Sequence, residues 1–211
     1  MTNFIPIFPL GLIVFPDEKL NLHIFEPRYQ QLVKYCFENK KPFGIPSVIK
    51  GELKEMGTLV RIIEISKTYD DGTMDIKTEG TEVFKILEVI KTLPDKLYSG
   101  AIVTYPPNMH SSHPSKMKLI LTAIREMYKK MKVEKTFSKP DKNLRSFDLA
   151  HLIGFSQEEE YLMLELQSET HRLEFIKRHL SKIIPVMTEI EELRKKIKLN
   201  GHFKNIKGFK L

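Results

Sequence analysis

A single cysteine, Cys36, occurs in the 211 residues, so no disulfide can close within the chain, and a reducing cytoplasm is the expected compartment. Tryptophan is missing, and no apolar run approaches the roughly 20 residues that cross a bilayer, so no membrane partner is expected. The apolar opening MTNFIPIFPLGLIVF has no basic segment before it and carries Pro6 and Pro9, which argues against a signal peptide. None of the ten glycines joins a cluster of the kind that cradles phosphate between a strand and a helix, so no nucleotide cofactor is expected. Zinc-type pairing is also missing. His110 and His113 are close but have no recognisable further ligands, and His171 and His179 stand two helical turns apart. Ser66-Lys67, Ser115-Lys116 and Ser181-Lys182 are chain neighbours whose side chains diverge, and nothing resembles a nucleophile elbow. The chain is therefore read as having no catalytic residue, no metal site and no cofactor.

What is present is ordinary globular material, 41% hydrophobic and 29% charged. The net charge of +7 is uneven along the chain. Residues 194–211 hold Arg194, Lys195, Lys196, Lys198, Lys204, Lys207 and Lys210 and no acid. Without those seven, 27 of the 34 basic residues remain, against 27 acids. The basic excess thus describes a terminal segment rather than a basic domain.

The first half is β-rich. FIPIFPL, PFGIPSVI, GTLVRIIEI, TMDIKTEG, TEVFKILEVI and LYSGAIVTY read as strands, with a hairpin at Asp70-Asp71-Gly72 and a turn at Pro94-Asp95. Apolar parity slips between Phe84/Ile86 and Leu87/Val89, and again after Val60/Ile62. Such slips predict β-bulges and a small, strongly bent, mostly antiparallel sheet. One helix interrupts it, with Tyr29, Leu32, Val33, Cys36 and Phe37 on one stripe and Asn39 and Pro42 at its end. Cys36 on that stripe reads as a buried, inert thiol. The second half follows the linker TYPPNMHSSHPSK and is helical. It has an amphipathic helix from Met117 to Met131, a short helix begun by Ser146, and another opened by the Ser156/Glu159 capping box. A long helix from Leu173 to Ile197 follows, which Pro185 should kink or interrupt. The expected division is a β subdomain over 1–106, a linker over 107–116, a helical bundle over 117–200 and a basic tail over 201–211.

HIFEPRY, His23 to Tyr29, sets a histidine, an acid and a guanidinium close together, as reacting groups, metal ligands or a joint in the fold would be. A joint accounts for every residue. The strand ends at Phe25, Glu26 sits at the positive end of the helix, Pro27 fits the first helical position, and Tyr29 starts the buried stripe. The stretch IPIFPLGLIVFPDEKLNLHIFEPRY also resembles the opening of the Lon N-terminal, or LON substrate-binding, domain. The matching positions are Pro6, Phe8, Pro9, Leu10, Phe15, Pro16, Leu22, Ile24, Phe25, Glu26, Arg28 and Tyr29. Phe43-Gly44, Gly57-Thr58, Gly80 and RLEFIKRHL continue the likeness, while Val83 stands where that family usually has arginine.

The resemblance implies an α+β fold, a PUA-like bent antiparallel β-barrel followed by a helical bundle. It implies a stand-alone relative of the substrate-binding part of peptidase S16-like, ATP-dependent protease La-like enzymes, without their ATPase and Ser-Lys protease segments. The function it suggests is non-catalytic recognition of unfolded or specific protein segments, as an adaptor for a separate protease. Tyr105 and Met109 are the candidate residues for an apolar peptide cleft. The alternative is nucleic-acid binding through the barrel and the tail, where Phe203 and Phe209 stand among the lysines.

Overall fold

Along TMDIKTEG every second residue is apolar, small or hydroxylic, and Met74, Ile76, Thr78 and Gly80 are all buried. That period of two makes a strand with one face in the core. In the computed structural model, which describes residues 2–109, 111 and 113–203, this stretch does not stop at Gly80. It runs on through TEVFKILEVI as one long strand.

Six strands, β1 (Thr2–Pro6), β2 (Lys19–Ile24), β3 (Phe43–Ile49), β4 (Glu52–Thr68), β5 (Met74–Ile90) and β6 (Gly100–Thr104), form one sheet. Its order is β1-β6-β5-β4-β3, with β2 on the first half of β5, and every pairing is antiparallel. The expected phase slips are register shifts. Ile62 pairs with Thr78 and Glu64 with Lys77, leaving Ile63 over; Ile86 pairs with Val103 and Glu88 with Ile102, leaving Leu87 over. Both extra residues are exposed, as a bulge that turns one side chain outward requires.

The sheet is α+β in context and bent, but it does not close into a barrel. Between the segment after β1 and β3 there are parallel bridges at Ile7–Gly44 and Leu10–Ser47. Phe8 N donates to Gly44 O, Leu10 N to Pro46 O and Val48 N to Leu10 O. The rung that Pro46 would donate is lost because proline has no N–H, so the closing ladder is interrupted.

The described residues also form five helices, α1 (Pro27–Glu38), α2 (Pro114–Met131), α3 (Ser146–Ala150), α4 (Gln157–Glu165) and α5 (Glu169–Phe203), with a 3-10 turn at Asp141–Asn143. The described residues fall into two compact units, one within 1–111 and 145–169, the other within 112–144 and 170–211. Helices α3 and α4 therefore belong with the sheet, not in a single bundle over 117–200. The contacts give the reason. Phe147 stacks on Phe15 at 5.2 Å, the Gln157 amide donates to the Gly11 and Val48 carbonyls, and the Tyr161 hydroxyl accepts from Met56 N.

Local signals explain the helix ends. Ser156 and Glu159 form the expected capping box. Ser146 is the first residue of α3 rather than its cap. Asp148 reaches back to Arg145 N, while Ser146 N and Oγ both donate to the buried Glu169 carboxylate. Helix α5 continues through Pro185 without interruption. Its apolar stripe is buried at Leu173, Ile176 and Leu180 and then emerges, until Ile197 is 69% exposed. No helix among the described residues is long and apolar enough to cross a membrane.

Candidate functional site

HIFEPRY is a joint in the structure. Backbone N–H groups of Tyr29 and Gln30 donate to Glu26 O, and the Gln30 side chain donates to Phe25 O. The first-turn donors that a helix leaves orphaned are thus partly satisfied from within the turn. The Glu26 carboxylate does not cap; it receives Arg28 Nε at 2.9 Å and Nη2 at 2.6 Å, and the guanidinium lies 4.5 Å from the Tyr29 ring centroid. His23 faces Asp75 across the β2–β5 register, with Nδ1 2.6 Å from Oδ1, and the Tyr69 hydroxyl donates to the other oxygen. Those two hydrogen bonds, His23 first, hold the Asp75 carboxyl below its ordinary pKa. The cluster is a cross-strand clasp.

What the joint accomplishes is to aim α1. Tyr29, Leu32, Val33 and Cys36 enter the core with Phe43, Val60 and Ile76. Burial lifts the Cys36 thiol to about 12, so the expected inert thiol is inert by protonation. Tyr35 lies on the flank of the same helix, and beside it is a groove of about 260 Å³. It is lined by Tyr35, Tyr98, Leu93, the half-exposed Phe4, Pro6 and Pro94, together with Lys41 and Lys96. Lys96 Nζ lies 4.6 Å and Lys41 Nζ 5.5 Å from the Tyr35 ring centroid, and Lys41 also donates to the Tyr35 hydroxyl at 3.1 Å. Burial, followed by the neighbouring Cys36 and Tyr35, raises Tyr98 to about 12, so its phenol stays neutral.

The loop forming one wall is pinned from α1. Gln31 accepts from Leu97 N at 2.7 Å and donates to Asp95 O at 3.2 Å, while Lys96 N closes the predicted turn onto Leu93 O. Asp95 holds φ at 57°, in the left-handed region that Asp tolerates better than most residues. Neither Lys41 nor Lys96 is ion-paired to a carboxylate among the described residues. The sequence reading did not find this groove, because its residues come from β1, α1, the α1–β3 connection and the β5–β6 loop.

Neither residue expected at a peptide cleft lines this groove. Tyr105 follows β6 and packs against the core formed by Ile5, Phe84 and Val103; burial raises its phenol pKa, against a hydrogen bond with Asn3. Met109 is 58% exposed and its backbone is tied to the α4–α5 junction, N to Gln167 O and O from Glu169 N. Of the basic residues, Arg194, Lys195 and Lys196 are exposed near the end of α5, and Lys195 pairs with Glu191 at 3.3 Å. The Lys198 side chain, Lys204, Lys207, Lys210 and Phe209 lie outside the described residues, as does His110. His113 bonds Thr170, Ser66 donates to Glu64 and Ser181 to the Lys177 carbonyl. Among the described residues no group of three or more His, Cys, Asp or Glu is placed to hold a metal ion.

The solved structures that share this fold include two Lon N-terminal domains. The Lon N-terminal domain protein from Xanthomonas campestris superposes with a TM-score of 0.65 at 22% identity, covering 82% of this chain and 95% of that one. The N-terminal domain of the Mycobacterium avium complex Lon protease gives 0.66 at 12% identity, covering 85% and 98%. The family model of the ATP-dependent protease La (LON) substrate-binding domain matches residues 5–182. Since that match spans most of the 211 residues, and takes in the HIFEPRY joint and every groove residue but Phe4, the chain belongs to the LON substrate-binding domain family.

Proposed function

We propose that this chain is a non-catalytic recognition module that binds unfolded or specific protein segments and presents them, as an adaptor, to a separate protease in the cytoplasm. The family match over residues 5–182 carries the reading. The exposed thioether of Met109, with Tyr105 nearby in sequence, is a candidate surface for apolar substrate contact, since an unbranched, polarisable side chain adapts to varied partners. The test is a titration of the purified chain with labelled reduced casein at low and moderate salt. Saturable binding that survives moderate salt is expected, and Met109→Ala should weaken it several-fold. No casein binding at either salt would overturn the reading.

The second reading is nucleic-acid binding, favoured by the three exposed basic residues Arg194, Lys195 and Lys196 in succession on α5. It expects tight binding of a labelled RNA with a steep salt dependence, lost on removing residues 194–211. RNA binding indifferent to that removal would exclude the tail.

A further inference from the structure

We infer that the groove beside Tyr35 is a specific docking site for an acidic-apolar protein segment, an extended stretch in which a large apolar side chain is flanked by carboxylates. This rests on the recognition reading and adds the ligand class to it. The volume, about 260 Å³, is below the roughly 300–1,000 Å³ of small-molecule pockets and suits one or two side chains of a longer ligand. Tyr98, Leu93 and Phe4 give the lining an apolar surface that would desolvate one inserted side chain.

The charged residues in the lining are of one sign. Lys41 and Lys96 hold their ammonium groups at the Tyr35 ring with no carboxylate partner among the described residues. Asp95, the acid of the neighbouring loop, makes no ion pair with either lysine. Two cations beside an apolar lining attract carboxylates on either side of an apolar anchor and disfavour a basic segment. Preorganisation adds to this, because Gln31 already fixes the loop wall. A nucleic acid is the poorer occupant. Both ammonium groups already lie at the Tyr35 ring, which leaves that ring a poor stacking platform for a base, and two of the other lining residues are prolines.

The experiment is fluorescence anisotropy on the full chain with the labelled peptide Asp-Glu-Leu-Phe-Asp-Glu. Its amide counterpart Asn-Gln-Leu-Phe-Asn-Gln, its basic counterpart Lys-Lys-Leu-Phe-Lys-Lys and an unstructured RNA are run beside it, with casein as the parallel readout. The acidic peptide should bind at least tenfold tighter than the amide peptide. Lys41→Glu combined with Lys96→Glu should reverse the order, favouring the basic peptide, and Lys41→Gln with Lys96→Gln should level it. The basic C-terminal segment is identical in all three proteins and cannot produce that reversal. If wild type does not distinguish acidic from amide peptide, or if a folded charge-reversed protein still favours the acidic one, the inference fails. RNA binding that exceeds acidic-peptide binding and is lost in the reversed protein also overturns it. Casein binding that persists through such a failure leaves the recognition reading standing; loss of casein binding by wild type removes both.

Discussion

At the scale of single residues, Gly80 carries the clearest constraint. Its backbone pairs with the chain entering β2, N to Glu18 O and O from Asp17 N, so the two segments approach closely. A Cβ at this position would lie 2.1 Å from the Phe15 carbonyl oxygen, and backbone cannot yield as a flexible side chain can. Gly80→Ala should therefore cost about 3 kcal/mol by the usual scale of overpacking, read as a lower urea midpoint. A loss under about 0.5 kcal/mol, the ordinary scatter of surface substitutions, would show that the strands separate without penalty. Val83, where relatives were expected to carry arginine, is buried opposite Thr58 on β4, so an apolar residue suits its surroundings here. Cys36 supports a second expectation. With its thiol raised to about 12, it should resist a thiol reagent at pH 8 in the folded chain and react at once in denaturant. Rapid native-state labelling would contradict the burial.

At the scale of elements, the attachment of α3 and α4 to the sheet depends on His151. Its Nδ1 lies 2.7 Å from Glu160 and its Nε2 3.2 Å from Glu18, and its ring packs on Phe15 at 4.9 Å. Burial by itself would push the imidazole pKa down. The hydrogen bonds and charges of Glu18 and Glu160 together outweigh it and lift the group to about 9. A folded pKa above the unfolded value near 6.5 means that this stabilisation is complete below about pH 6.5 and is lost as pH rises through about 9. With the ring 37% exposed, solvent screening reduces the expected contribution to about 1 kcal/mol. Melting curves between pH 6 and 10 should show that loss, and His151→Gln should flatten it. An unchanged pH profile in the variant would place the effect elsewhere.

At the scale of the whole molecule, the described part of the excess positive charge is expected to be peripheral to stability. Arg194, Lys195 and Lys196 are exposed, and the exposed i,i+4 pair of Lys195 with Glu191 belongs to a class worth about 0.3–0.5 kcal/mol. Replacing all three by glutamine should leave the melting midpoint within about 1 °C while reducing any RNA affinity and its salt slope. A large stability loss would mean that these residues hold structure. The division into two units also changes where substitutions should be felt. Changes in α3 or α4 act on the sheet, since Phe147, Gln157 and Tyr161 are anchored to β-unit residues.

Much of this was legible from local pattern. Alternation in TMDIKTEG, parity slips at Ile63 and Leu87, the Asp-Asp-Gly hairpin, the α1 stripe and the Ser156–Glu159 box depend on residues within a few positions of one another. Their physics is dihedral preference, face burial and capping, which neighbours in sequence decide. The family likeness was legible for the same reason, since HIFEPRY is a local joint whose residues each have a local role. Other features required the chain to be folded. Pro46 interrupts closure of the sheet only because the segment after β1 arrives beside β3. Helices α3 and α4 belong with the sheet because Phe15 and Glu18 lie opposite Phe147 and His151. The Tyr35 groove exists because β1, α1, the α1–β3 connection and the β5–β6 loop converge, bringing Phe4, Lys41 and Lys96 together from positions far apart in the chain. Periodicity and capping are properties of segments, whereas a groove and its charge are sums over distant segments, and the tertiary structure alone performs that sum.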